Sequence, residues 1–519
     1  MMTMKPIGEK SGVRGLIVLC VVALSLPNVV LFFTEDVPAE ARVCNVVLPV
    51  SVYLWLMTIG KRPGRMWVSV LPMVVLAAFQ LVLLYLFGNS VIAPEMFLNL
   101  TTTNKDEAGE LLGRIYPSVV AVVIVYAPLT VWSVMWWEKK VDDGFVRGCR
   151  RMSLSGVAMG LVLLVVSYRE NGDYGVERDL YPVNVVRNAC EAVATQWRTN
   201  NYVETSRGFV YGTESNRDAK QRELYVLVIG ETARAANFGV LGYERNTTPN
   251  MSAKTDVVAF GRAYTQSNTT HKSVPMLLTG VGDDDYEEIY KRKSVITAFK
   301  EAGYSTAFIS NQRRNGALIE FMGDEAYVVE YVRDGVRDGE NVLDEVLVER
   351  LRHYLDTDSA VKRMVVLHTY GSHFDYSERY RKEKARFVPD RCDNVTAAAR
   401  EALVNAYDNS ICATDELLAE VIEMVERECD VAGVMYVSDH GEDIFDDGSR
   451  RFLHSSPKSS EYQLHVPLLV WTSATYDSIY AEMRGRLIAR KNDKIITNKE
   501  VPRMLMEMAG VEKKVQCKK

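Results

Sequence analysis

The sequence predicts a membrane-embedded helical half followed by an α/β domain, and three observations carry that expectation. Of 519 residues, only the first 170 contain runs long and apolar enough to cross a bilayer. Beyond residue 222, short apolar runs alternate with helical patterns, as expected of a sheet with helices on both faces. Finally, Ser438-Asp439-His440-Gly441-Glu442 follows directly on the apolar run Gly433–Val437. A carboxylate and an imidazole emerging together from a buried strand, on a glycine-hinged turn, suit a divalent metal such as zinc.

Five runs read as spans, at 14–33, 43–60, 67–88, 115–137 and 152–168, which makes 1–168 a transmembrane domain of five helices. Run 14–33 lacks a convincing small-residue cleavage site and four further runs follow it, so it reads as a span and not as a signal peptide. Lys5, Lys10 and Arg14 precede the first span; Lys61, Arg62 and Arg65 separate the second and third; Lys139, Lys140, Arg147, Arg150 and Arg151 separate the fourth and fifth. The alternate loops are acidic or nearly neutral. The positive-inside bias therefore places the N-terminus in the cytoplasm and everything after residue 169 outside.

Residues 169–222 read as a connector. Within it an amphipathic helix runs from Pro182 to Trp197, with Val185, Val186, Ala189, Val193 and Trp197 at helical spacing. Two placements fit it equally: along the membrane surface, or packed on the outer domain. That domain, 223–519, has apolar runs at 224–229, 304–309, 363–368, 433–437 and 466–471, with helical patterns at 341–355 and 397–427. A formal charge of −6 with no basic stripe argues against nucleic acid. The eight cysteines are thinly spread, with neither a disulfide framework nor a CxxC metal site.

All seven histidines lie at or after residue 271, and four of them (His368, His373, His440 and His454) sit in or beside strand-then-polar segments. The strand Tyr225–Ile229 ends in Gly230-Glu231-Thr232-Ala233-Arg234. Alone, Glu231 reads as a helix cap; beside Asp439 and His440, it reads as a metal ligand. The stretch Ser267-Asn268-Thr269-Thr270-His271-Lys272-Ser273-Val274-Pro275 offers hydroxyls before an apolar helix, either as caps or as a nucleophile activated by metal and helix dipole. His465 reads as structural, His353 as a surface residue, and His368 as a core or supporting group.

Gly230-Glu231-Thr232-Ala233-Arg234-Ala235-Ala236-Asn237-Phe238, Ser273-Val274-Pro275, Leu367-His368-Thr369-Tyr370-Gly371-Ser372-His373 and Ser438-Asp439-His440-Gly441-Glu442 together resemble the membrane phosphoethanolamine transferases. These lipopolysaccharide-modifying enzymes belong to the alkaline phosphatase-like or sulfatase-like superfamily. The resemblance implies that fold for the outer domain, in the periplasm of a bacterial inner-membrane protein. It implies zinc bound by Glu231, Thr270, Asp439 and His440, with Thr270 as nucleophile. His373 and His454 would line the phosphate side, binding a second zinc or assisting proton transfer. Asn99, Thr103 and Glu107, four residues apart on an outer loop, would meet the lipid headgroup. The donor implied is phosphatidylethanolamine, and the acceptor lipid A, a core sugar or another envelope glycan. His271 departs from the pattern, standing where relatives that modify lipid A carry a small residue.

Three other readings compete. A sulfatase needs a Cys-x-Pro-x-Arg-like sequence to make its nucleophile, and no cysteine here begins one. A glycerophosphate transferase of the lipoteichoic acid synthase type would share the spans and the threonine. A membrane-anchored metal-binding sensor would need a closed structural site, which usually has four Cys/His ligands and not carboxylates with a hydroxyl.

Overall fold

The computed structural model describes residues 7–35, 37–87, 91–102, 116–170, 172, 174–337, 340–448, 451–456, 458–493 and 495–514. Two compact units emerge, the first mainly Met1–Phe97 with Ile115–Ala192, the second mainly Val193–Gly448 with Phe452–Lys519.

The first unit is helical. Its principal helices are α1 (Ile7–Thr34), α2 (Ala39–Met57), α3 (Pro63–Ser69), α4 (Leu71–Phe87), α5 (Pro94–Thr102), α6 (Tyr116–Met135), α7 (Asp143–Glu170) and α8 (Val183–Asn200), the last running on into the second unit. Among the described residues, four helices are long and apolar enough to cross a membrane: Lys10–Thr34, Ala39–Met57, Tyr116–Met135 and Asp143–Glu170. The continuous third span expected over 67–88 is instead a bent pair, α3 and α4, meeting at 64°. Pro72 supplies the reason. It lacks an N–H, its ring clashes with the carbonyl four residues back, and it disfavours helical geometry just before it. The pair makes a fifth span only if counted as one broken helix.

The second unit is built on a seven-stranded sheet. Its strands are β1 (Glu223–Gly230), β2 (Val257–Phe260), β3 (Ser305–Ser310), β4 (Val328–Tyr331), β5 (Lys362–His368), β6 (Val431–Ser438) and β7 (Leu468–Thr472), in the spatial order β2-β7-β6-β1-β5-β3-β4. The run β6-β1-β5-β3-β4 is parallel, and β7 is antiparallel to both its neighbours. β1 and β6 are buried along their whole length, which is why their sequences read as unbroken apolar runs. The edge strands β2 and β4 escape the sequence reading because each has only four residues. Three further helices concern the site: α9 (Thr270–Thr279), α10 (Glu345–Thr357) and α11 (Arg400–Glu428).

Candidate metal centre and nucleophile

Parallel strands deliver their following residues to one edge of the sheet. Gly230 pairs with Ser438, so Glu231 and Asp439 leave β1 and β6 side by side, and the Asp439 N–H donates to the Gly230 carbonyl at 3.0 Å. On the other flank Ile229 pairs with His368, and the chain beyond β5 folds back so that the Ser372 N–H donates to the Glu231 carbonyl at 3.0 Å. That return requires Gly371. Its φ is +54°, and a Cβ there would lie 2.5 Å from the Glu231 carbonyl oxygen. Asp344 clamps the same loop, accepting from the Tyr370 and Gly371 N–H groups at 2.8 Å each. The loop ends at His373.

Glu231, Asp439 and His440 are all buried, and one ligand atom from each lies within 4.8 Å of the others. His440 Nε2 is 3.4 Å from Glu231 Oε1 and 3.4 Å from Asp439 Oδ2. Its Nδ1, 2.9 Å from the Gly441 carbonyl, must carry the proton, so Nε2 presents its lone pair to the carboxylates. Asp439 Oδ1 accepts from the backbone N–H groups of Thr232 and His440, whereas Oδ2 is buried with no hydrogen-bond partner. Two buried carboxylates and a ring lone pair converging on one point are costly unless a cation sits between them. The donor set fits a divalent metal such as zinc.

Thr270 opens α9. Its neighbour Thr269 occupies the cap position without a side-chain capping bond, its hydroxyl lying 3.1 Å from Ser267 Oγ. The Thr270 hydroxyl instead points into the centre, 3.1 and 3.2 Å from the two Glu231 oxygens and 3.1 Å from His440 Nε2. Asn268 is buried and donates to the Ser456 carbonyl and to Gln463 Oε1, which holds the nucleophile loop in place.

His454 and His373 complete the row. The rings of His440 and His454 are 4.2 Å apart, and those of His373 and His454 are 6.1 Å apart. His454 Nδ1 donates to Glu442 Oε1 at 2.9 Å, and His373 Nδ1 to the Phe374 carbonyl at 2.7 Å. Burial pushes the His454 imidazole down to about 4 and that of His373 well below its usual range, so both rings are neutral with Nε2 as the available base. An open cleft beside this row is lined by Thr270, His271, Gln312, Arg313, Glu320 and His373, among others.

The structure thus brings together Glu231, Thr270, Asp439, His440, His373 and His454. Asn99 lies on α5, while Thr103 and Glu107 lie outside the described residues. His353 is exposed on α10, and His465 stacks on Tyr264. His368 is buried with Nδ1 3.2 Å from Ser310 Oγ, and it also borders the cleft. The sequence reading assigned nothing to Glu442, although it stands in the quoted motif; its partner His454 comes close only through the turn that follows. Gln312, Arg313 and Asp344 carried no local signal. Arg234 and Asn237 prove to be scaffolding. Arg234 is buried against Asp446 at 2.6 Å and donates to Asn237, which in turn donates to Asp408. Gly441 closes this wall, since a Cβ there would lie 2.1 Å from the Tyr462 carbonyl.

Residues 223–511 match the Sulfatase family profile. The chain belongs to the sulfatase family. This sulfatase-family chain is 31% identical over 284 residues to the Kdo(2)-lipid A phosphoethanolamine 7''-transferase of Escherichia coli K12, covering 53% of the chain and 48% of that protein. It is 26% identical to the phosphoethanolamine transferase EptA of the same strain, covering 94% of the chain and 89% of that enzyme. Its fold is similar to that of the integral membrane lipooligosaccharide phosphoethanolamine transferase A of Neisseria meningitidis, with a TM-score of 0.74, 21% identity and 96% of each chain covered.

Proposed function

We propose that this sulfatase-family protein transfers phosphoethanolamine from phosphatidylethanolamine to a lipopolysaccharide acceptor, lipid A or core, or to another envelope glycan. The observation that carries the reading is the Thr270 hydroxyl, held at the start of α9 within 3.1–3.2 Å of Glu231 and His440. In this reading the chain divides into a transmembrane domain (1–168), a connector (169–222) and a periplasmic catalytic domain (223–519). The relatives named above, themselves phosphoethanolamine transferases, support the substrate class.

Glu231, Thr270, Asp439 and His440 would hold zinc, which when bound supplies positive charge that makes a threonine hydroxyl more acidic. Thr270 Oγ1 forms a bond to the donor phosphorus while the bond from phosphorus to the diacylglycerol oxygen breaks. The hydroxyl proton ends on the departing alcohol, passed by a neutral histidine, His454 or His373. Phosphoethanolamine stays on Thr270 as an ester until an acceptor oxygen displaces it and the threonine regains a proton. The α9 N-terminus favours the phosphoryl charge. Glu442 orients His454, and the Phe374 carbonyl orients His373. Asn99, Thr103 and Glu107 would meet the headgroup from the membrane side.

The test supplies phosphatidylethanolamine without acceptor to the purified full-length protein. The peptide containing Thr270 should gain one phosphoethanolamine mass, with diacylglycerol released in step. Consumption of phosphatidylglycerol instead would identify a glycerophosphate transferase. Bound zinc with no lipid turned over would identify a metal-binding sensor.

A further inference from the structure

Helix α8, Val183–Asn200, presents two opposite faces. Asn184, Val185 and Ala192 are buried on one. On the other, Val183, Val186, Val193 and Trp197 are 42%, 55%, 70% and 68% exposed, and Cys190 between them is exposed as well. The spacing 183, 186, 190, 193, 197 alternates three and four residues, so these five side chains form one continuous stripe. Packing of the whole apolar set on the outer domain would bury Val193 and Trp197, and they are open.

The start of the helix is tied to the ends of the spans that the charge bias places outside. Just before α8, the Tyr181 carbonyl accepts from Asn28 Nδ2 of α1 at 2.9 Å, and the Asp179 carbonyl accepts from Asn45 Nδ2 of α2 at 2.7 Å. Asn28 is within two turns of the outer end of α1, and Asn45 is equally close to the outer start of α2. One turn into α8, Asn188 Nδ2 donates to the Ile92 carbonyl at 2.7 Å, just beyond the outer end of α4. The ends of α1, α2 and α4 opposite the basic loops are therefore tied to α8 and the residues just before it.

We propose that α8 lies in the outer membrane–water interface of the bilayer that the spans cross, with Val183, Val186, Cys190, Val193 and Trp197 sunk into lipid. An open apolar stripe with a terminal tryptophan and an exposed arginine, Arg187, at its edge has the composition of an interfacial helix. The occupant is lipid because the helix is fastened at bilayer level, so the stripe continues the apolar surface that the spans present. The inference does not depend on which reaction the site performs.

The test uses the full-length protein in phosphatidylethanolamine/phosphatidylglycerol vesicles, with a spin label on Cys190 and Cys190→Ser as the background to subtract. The label should collide with oxygen several-fold more readily than with a water-soluble nickel chelate. A label at Glu191→Cys in the Cys190→Ser chain should show the reverse preference. Brominated lipid should quench the part of the fluorescence that Trp197→Phe removes. Ready access of the nickel chelate to Cys190 would overturn the proposal. So would a label shielded from both reagents, which would mean that protein, such as a second copy of the chain, covers the stripe.

Discussion

In the helical unit Val18, Ile124 and Val162 are more than half exposed, whereas Asn28, Gln80 and Ser153 are almost wholly buried. In the α/β unit the strands bury every apolar side chain of β1 and β6, and Glu231, Asp439 and His440 are buried together just beyond the ends of those strands. The inversion follows from the solvent. In lipid an apolar surface costs nothing, and polar groups turn inward as ties between helices, such as Asn28 to the Tyr181 carbonyl and Ser153 to the Ser51 carbonyl. In water the apolar groups must go inside, and a buried polar group is retained where it is paired or used. The ties of Asn28 and Ser153 end on backbone carbonyls. The cluster of the second unit leaves Asp439 Oδ2 unpaired, which marks a place made to hold something else.

The largest effect that separates the two regions is chemical. Thr270→Ala should abolish the covalent adduct and all transfer while zinc still binds through the other three ligands; a surviving adduct, on Thr269 for example, would place the nucleophile elsewhere. Next, Glu231→Ala or Asp439→Ala should remove both bound zinc and turnover, measured by metal analysis alongside diacylglycerol release. Full zinc and full activity in Glu231→Ala would return that residue to a capping role.

Glu442→Gln should be milder. It replaces the carboxyl group that orients His454 with an amide, without touching the three buried ligands, and such supporting partners are commonly worth about 10–100-fold in activity. The zinc content should stay near one ion per chain, so loss of metal in this variant would draw Glu442 into the metal centre itself.

Two stability measurements sharpen the contrast between the solvents. Asp446→Ala leaves Arg234 buried without its carboxylate and should cost roughly 3–5 kcal/mol, read as a lowered thermal midpoint of the full chain. Asn28→Ala removes a buried interhelical tie in the spanning unit and should cost only about 0.6 kcal/mol, because a helix already in lipid finds other partners. Equal losses would mean that the first unit is held together as the second is.

Much of the architecture was legible locally. Strand β1 and its exit at Glu231, strand β6 and its exit at Asp439-His440, and the helices containing 345–357 and 400–428 announce themselves by periodicity and by polar residues at strand ends. That Thr270 and not Thr269 faces the centre depends on which of them starts α9, a matter of a single residue that only backbone geometry settles.

By itself the sequence marked out the apolar helical half, the α/β class of the remainder and the candidate ligand residues, because hydropathy and alternation are properties of neighbouring residues. Tertiary structure decided what depends on distant partners. It placed the edge strands Val257–Phe260 and Val328–Tyr331, whose few residues form a strand only against a neighbour. It joined Glu442 to His454 and Asp344 to the His373 loop, and it set Gln312 and Arg313 in the cleft. It also chose the open face of Val183–Asn200, since a helical repeat names an apolar stripe and only the packing around it determines which side stays bare.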